Sequence, residues 1–270
     1  MAKIEEIQEV PPQATQAKKR KGPPTLVKYY LVLYNVLSTV GWAYVLLLTA
    51  NAVFNLDGTH AAVPPAPGPA TVQRQVEAAL PAVLVPAVRR ATRAYAAVGA
   101  QTAFVQSFAA LEVLHVLLGW VRSPLGTTLV QVGSRLYLVW GITHLFPQET
   151  HTNPLYASMV LSWSLTEVVR YSFYACALLG TEPAPLVFLR YTLFYVLYPT
   201  GASSEAFLMY ATLPRPVLAL GLQGGLHALV RKVLFATWWP GLYVMYTHMM
   251  KQRRKVFGGG RPTGPKVKQS

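Results

Sequence analysis

The sequence predicts an all-α membrane protein: a bundle of six transmembrane helices with both termini in the cytosol. Three observations carry this reading. Only 13% of the 270 residues are charged and 53% are hydrophobic, whereas a soluble domain carries about 25% charged residues. Six apolar stretches approach the ~20 residues that a bilayer core requires. The Lys and Arg behind the net charge of +14 gather in "KKRK" at 18–21 and "KQRRK" at 251–255. Both clusters flank apolar segments, as cytosolic anchors do. Short basic runs also attract phosphates, but that juxtamembrane position argues for membrane lipid as the partner and against nucleic acid.

Residues 1–26 are polar, contain Pro and form a cytosolic tail rather than a signal peptide. The first span, 27–50, reads "VKYYLVLYNVLSTVGWAYVLLLTA". The connection 51–97 that follows is lumenal. It begins with the Pro/Ala-rich insertion at 61–70, which is extended or without regular structure. In its second half Pro81 and Pro86 cut the apolar run too short to span, which predicts a surface helix lying at the interface.

The second to fifth spans are 98–119, 125–146, 155–179 and 187–212. The stretch 214–232 is punctuated by Pro and Gly and is predicted to lie at the interface. The sixth span, 233–250, is short and contains Pro240, which helices buried in a bundle tolerate. The domain is therefore 27–250, and 251–270 is a basic cytosolic tail. An even number of spans puts both termini on one side. The final "KVKQS" places Lys266 and Lys268 where a dilysine retrieval signal to the endoplasmic reticulum has them. Arg89, Arg90 and Arg93 then fall on the lumenal side, against the charge rule, although long loops count for little in it.

Ionisable residues inside spans are costly and mark function by default. Glu112 and His115 stand one turn apart in the second span, and Arg135 is in the middle of the third. Glu167 and Arg170 are one turn apart in the fourth, a spacing that lets them neutralise each other. Arg190 is near a helix end and can snorkel, so a structural role is expected there. Glu205 has no charged neighbour one turn away in its own segment, "LRYTLFYVLYPTGASSEAFLMYATLP".

Tyr198 is seven residues before Glu205, so both project from one face within about 20° and, in an unbroken helix, about 10.5 Å apart. Pro199 and Gly201 between them predict a distorted turn that opens a polar pocket inside the bundle. Ser203 and Ser204 offer further hydrogen bonds, or satisfy their own backbone.

Three stretches together are specific: "LEVLHVLLGWVRSPLGTTLVQVGSR" at 111–135, "WSLTEVVRYSFYA" at 163–175 and "LRYTLFYVLYPTGASSEA" at 189–206. They resemble the membrane-embedded (3R)-3-hydroxyacyl-CoA dehydratases of very-long-chain fatty acid elongation, also called protein-tyrosine-phosphatase-like proteins. The resemblance covers about 27–250. It implies six spans, cytosolic termini, residence in the endoplasmic reticulum membrane and work beside the other enzymes of the elongation complex. It also implies a catalytic tyrosine and glutamate in a Tyr-Pro-x-Gly-x-x-x-Glu stretch, which fall on Tyr198 and Glu205. The Pro-rich insertion and the extended tails are not features of that family.

The implied reaction is dehydration of a (3R)-3-hydroxyacyl-CoA to a trans-2-enoyl-CoA. It needs a base for the C2 proton, an acid for the departing C3 hydroxyl and hydrogen bonds to the thioester carbonyl. Sequence leaves open which of Tyr198 and Glu205 takes the C2 proton. Glu112, His115, Arg135, Glu167, Arg170 and Ser204 form the supporting polar interior, and Arg122 or Lys251 are candidates for the CoA phosphates. No cofactor or metal is expected, since the substrate brings its own CoA.

A cysteine phosphatase needs a thiolate in an anion-binding loop closed by arginine. Cys176, the one cysteine, lies in an apolar helix without a following arginine and reads as core. A proton-coupled transporter would use similar intramembrane acids but would tend to show internal duplication, and none is visible. A scaffold without activity would have lost Tyr198 or Glu205, and both are present.

Overall fold

The computed structural model describes residues 24–59, 77–214 and 225–258. The basic cluster at 18–21, the Pro-rich insertion at 61–70, residues 215–224 of the stretch predicted to lie at the interface, and the two C-terminal lysines lie outside the described residues. Among the described residues there is no strand.

Helix α1 runs over Thr25–Phe54. Asn55 closes it in the left-handed conformation (φ 55°), its N–H donating to Asn51 O at 2.8 Å, as a C-terminal cap requires. Asn35 and Thr49 donate to carbonyls one turn back, at 2.6 and 2.7 Å. Polar side chains of this kind bring their own acceptor with them.

A short helix, α2, covers Val85–Ala91. Seven residues reach about 10 Å, too little to span, as the prolines predicted. Its arginines are used within the fold. Arg89 pairs with Glu77 at 2.9 Å, and Arg90 Nε donates to the Val53 carbonyl at 2.8 Å, closing the end of α1. Their place on the predicted lumenal side thus has a structural cause.

The second predicted span is two helices, α3 (Ala94–Ser107) and α4 (Ala110–Leu117), with a turn at Phe108–Ala109. The third is α5, Leu125–Leu136, continued as a π-helical stretch over Tyr137–Thr143. The wider winding lays the Tyr137 ring over Gly141, where a Cβ would sit 2.6 Å from it. A one-turn α6, Pro147–Thr150, leads to α7, Leu155–Leu179, whose bounds match the predicted fourth span.

Two expectations are corrected downstream. The fifth span does not run from 187. A separate α8, Ala184–Arg190, ends in a turn, and α9 begins at Phe194 and continues to Ala211. There is no break at Tyr198–Gly201: α9 passes through Pro199 as helix. Proline removes the bond that would reach the Tyr195 carbonyl. The Tyr246 hydroxyl from the last helix approaches that carbonyl at 3.5 Å, which keeps the gap from being an orphan. The last helix, α10, covers Gly225–Phe257. Residues 225–232, expected at the interface, are its first turns, and the basic cluster at 251–255 continues it.

Helix α7 is central, packed on α1 and on α9; α3 lies against α1, and α10 against α9. Trp42, Val45, Val98, Leu138, Ile142, Met159, Trp163 and Leu208 meet in the core. The α7–α9 seam is close because its residues are small. A Cβ on Gly201 would lie 3.2 Å from Ser162 Cβ, Ser162 and Thr200 share a hydrogen bond at 3.0 Å, and Ser204 donates to Ser158 at 2.9 Å. In a bilayer, packing of this sort and interhelical hydrogen bonds of about 0.6 kcal/mol hold helices together.

By length and apolarity, two helical stretches among the described residues suffice to cross a membrane: Thr25–Phe54 and Ala94–Leu117. The surface is apolar well beyond these. Leu33, Leu37, Val40 and Leu47 of α1, Val196 and Phe207 of α9, and Val233 and Val244 of α10 are exposed, while Gln106, Ser164, Glu167 and Ser204 are buried. A water-soluble bundle distributes its residues the other way.

Candidate active site

Helix α7 supplies the spine of the site. Trp163, Glu167, Arg170 and Tyr171 fall within an arc of about 100° on it, and that face turns toward α4, α5 and α9. Glu167, 2% exposed, is held from two sides. Arg135 of α5 ion-pairs with one of its oxygens, and Arg170 Nε donates to the other at 2.6 Å. Arg170 then reaches Glu112 of α4 with both terminal nitrogens, at 3.1 and 2.7 Å. The Tyr171 hydroxyl donates to the same Glu112 oxygen. Glu112, Arg170, Glu167 and Arg135 thus alternate in sign and cancel. Buried ions persist only in such arrangements.

Glu205 stands next to this chain but outside it. Trp163 Nε1 donates to Glu205 Oε1 at 2.5 Å. Arg135 stacks its guanidinium 5.1 Å from the Trp163 ring centre. It acts electrostatically on both Glu205 and Tyr198 without an ion-pair contact to either among the described residues. Both arginines are thus committed to Glu167 and Glu112. Glu205 is oriented by the Trp163 indole N–H and has no ion-pair partner among the described residues. Tyr198 is half-buried on the same face of α9.

The residues singled out from sequence sort into two groups. Glu112, Arg135, Glu167 and Arg170 form one ion-paired chain, Glu205 stands beside it through Trp163, and Tyr198 lies half-buried on the Glu205 face of α9. His115 and Ser204 stand apart from these. His115 is buried in an aromatic cage, with Tyr30 Oη 3.0 Å from its Nε2 and Trp120 stacked at 5.9 Å. Ser204 belongs to the α7–α9 seam, bonded to Ser158 and to the Thr200 carbonyl.

Trp163 and Tyr171 were not singled out from sequence. The signal was present: Trp163 precedes Glu167 by one turn and Arg170 by two. A tryptophan in an apolar run reads as packing until its N–H is seen on an acid.

Cys176 is a half-buried free thiol in the last turns of α7. A cleft of about 1070 Å³ opens elsewhere, between α3–α4 and Trp140 and His144. Its lining is mostly apolar but includes Arg93, Tyr95, His144 and His151, and neither Tyr198 nor Glu205 borders it.

The protein tyrosine phosphatase-like protein family matches this chain over residues 106–259. A probable very-long-chain (3R)-3-hydroxyacyl-CoA dehydratase of Schizosaccharomyces pombe is 45% identical over 153 residues, 57% of this chain and 72% of that protein. The rice (Oryza sativa subsp. japonica) very-long-chain (3R)-3-hydroxyacyl-CoA dehydratase PASTICCINO 2B is 37% identical over 239 residues, 85% of this chain and 93% of that protein. Human very-long-chain (3R)-3-hydroxyacyl-CoA dehydratase 2 is 31% identical over 245 residues, 86% and 82% of the two chains. No solved structure matches.

Proposed function

The chain belongs to the protein tyrosine phosphatase-like family of very-long-chain (3R)-3-hydroxyacyl-CoA dehydratases, and we propose that Tyr198 and Glu205 carry its reaction. That reaction is the dehydration of (3R)-3-hydroxyacyl-CoA to trans-2-enoyl-CoA, the third step of fatty acid elongation. The observation that carries the residue assignment is the Trp163–Glu205 hydrogen bond. It aims an acid with no ion-pair partner of its own, among the described residues, along the helix face that Tyr198 shares.

In the reaction Glu205 takes the C2 proton. The C2–H electrons form the double bond to C3, the C3–O bond breaks, and Tyr198 gives its proton to the leaving hydroxyl, which departs as water. A proton passing from Glu205 back to Tyr198 restores the starting state. Charge that builds on the thioester carbonyl lies in the field of Arg135, which is fixed by Glu167 and so needs no reorganisation during the reaction. No cofactor takes part, because CoA arrives with the substrate.

Six segments cross the endoplasmic reticulum membrane within the domain 27–250, with the tails 1–26 and 251–270 in the cytosol and 51–97 in the lumen. The apolar surface and the basic end of α10 support this. The other elongation enzymes are the expected partners, passing acyl-CoA through a shared membrane.

The test is turnover by the purified full-length protein in detergent or nanodiscs, following trans-2-enoyl-CoA from a (3R)-3-hydroxyacyl-CoA by mass spectrometry. Product is expected from the wild type. Its absence in a folded preparation would sink the assignment.

A further inference from the structure

Two arginines stand outside the paired-charge interior with donors unused. Arg190 ends α8, and Arg253 lies in the last turns of α10. Among the described residues neither meets a carboxylate within ion-pair distance. Each buries its guanidinium Nε without a hydrogen-bond partner. Unused donors of that kind are rare and call for an acceptor.

Aromatic rings hold both groups in place. Arg190 donates to the Tyr174 hydroxyl at 3.1 Å and stacks 4.6 Å from that ring's centre. Arg253 lies 5.6 Å from the Tyr195 ring and 5.3 Å from Phe257. Phe257 meets Tyr191 edge-on with centres 6.2 Å apart, and Tyr191 borders Arg190 at 5.8 Å. The two guanidinium groups thus flank the Tyr191–Phe257 ring pair, at the end of α9 nearer to Tyr198.

We propose that Arg190 and Arg253 bind the adenosine 3′,5′-diphosphate end of the acyl-CoA, their guanidinium forks on its phosphates and the purine on the Tyr191–Phe257 rings. This rests on the dehydratase reading and deepens it. Arginine is suited to phosphate because its planar fork offers paired donors, and a purine stacks on any flat aromatic face. The spacing fits as well. From Tyr195 to Glu205 is ten residues of helix, about 15 Å, a span comparable with an extended pantetheine arm. The thioester then arrives at the Glu205 end of the face that Tyr198 shares.

The proposal departs from the expectation that gave the CoA phosphates to Arg122 or Lys251 and a structural role to Arg190. Arg122 is engaged within the fold, and Lys251 is exposed. An anionic lipid headgroup offers the same phosphate but no purine.

The experiment uses full-length protein in phosphatidylcholine nanodiscs, with 3′,5′-ADP as the equilibrium probe and (3R)-3-hydroxyacyl-CoA as the kinetic one. Arg253→Gln, near the exposed end of α10, and Arg190→Gln should each weaken 3′,5′-ADP about tenfold or more, the loss of a charge-assisted hydrogen bond. KM should rise by a similar factor. The preference for the CoA thioester over the same acyl group on pantetheine should collapse. Normal dehydration together with wild-type 3′,5′-ADP affinity in Arg253→Gln overturns the site and leaves the reaction standing. Arginine-dependent 3′,5′-ADP binding by a protein that dehydrates nothing keeps the site and removes the reaction. Displacement of 3′,5′-ADP by added phosphatidylserine, with KM unchanged in the variants, gives the arginines to lipid and overturns the proposal.

Discussion

Trp163 Nε1 donates to Glu205 Oε1 at 2.5 Å, tying the centre of α7 to the acid of α9. Forty-two residues separate the two in sequence, and the bond sits beside the Arg135–Glu167 pair. Trp163→Phe keeps the aromatic packing and removes the donor. A hydrogen bond to a charged group contributes about 1.5–3 kcal/mol, so kcat should fall roughly 10- to 100-fold with KM little changed. Steady-state kinetics measures this, and an unaltered kcat would show that the indole only fills space.

Glu205→Gln keeps shape and removes the ionisable group, and Tyr198→Phe removes one hydroxyl. Each should lower turnover by about 10²-fold or more, the scale of a general acid or base, while the helical circular dichroism and detergent extraction stay unchanged. If they act as one unit, the double variant should be little slower than the slower single one. Near-normal turnover in folded Glu205→Gln would return Glu112 and Glu167 to candidacy.

Glu167→Gln leaves Arg135 without an ion-pair partner among the described residues and takes from Arg170 the acceptor of its Nε, although Arg170 keeps Glu112. Breaking a buried pair costs about 3–5 kcal/mol, so a marked drop in thermal stability in detergent is expected. Glu112→Gln should cost less, because Arg170 keeps Glu167 and the Glu112 side chain is 20% exposed. Equal melting temperatures for the two variants would contradict the central place of Glu167.

Gly201 holds α7 and α9 close, with Ser162 Cβ 3.2 Å from where its Cβ would be. Gly201→Ala asks the seam to give by a few tenths of an ångström while gaining roughly 1 kcal/mol of helix propensity, so its effect should be small. Gly201→Leu forces the helices apart at an overpacking cost of about 1–3 kcal/mol and should lower activity by misaligning Trp163 and Glu205. Ser162→Gly should partly restore the Leu variant. Rescue is read as recovered melting temperature and turnover together.

The proposed topology of six spans, with both termini in the cytosol, predicts that tags at either terminus are removed by protease from sealed microsomes. Protection of one tag alone would mean an odd number, with α10 as the helix to re-examine.

What the sequence determined by itself was local. Apolar length placed the helices, and α7 came out with its predicted ends because Pro154 and Gly180 bound an uninterrupted run. The seven-residue interval put Tyr198 and Glu205 on one face, and the three-residue interval paired Glu167 with Arg170. The Pro199–Gly201 distortion was misread for a physical reason. In isolation proline breaks a helix, but packing on α7 and the Tyr246 hydroxyl keep α9 continuous.

The tertiary structure alone decided the remaining partnerships. That Arg135 pairs with Glu167, that Arg170 reaches Glu112 and that Trp163 holds Glu205 depend on the depth and rotation at which α4, α5, α7 and α9 cross. Those are set by interdigitation of residues far apart in the chain, for which periodicity within one helix carries no signal. For the same reason His115, one turn from Glu112 in sequence, turned instead to Tyr30 and Trp120.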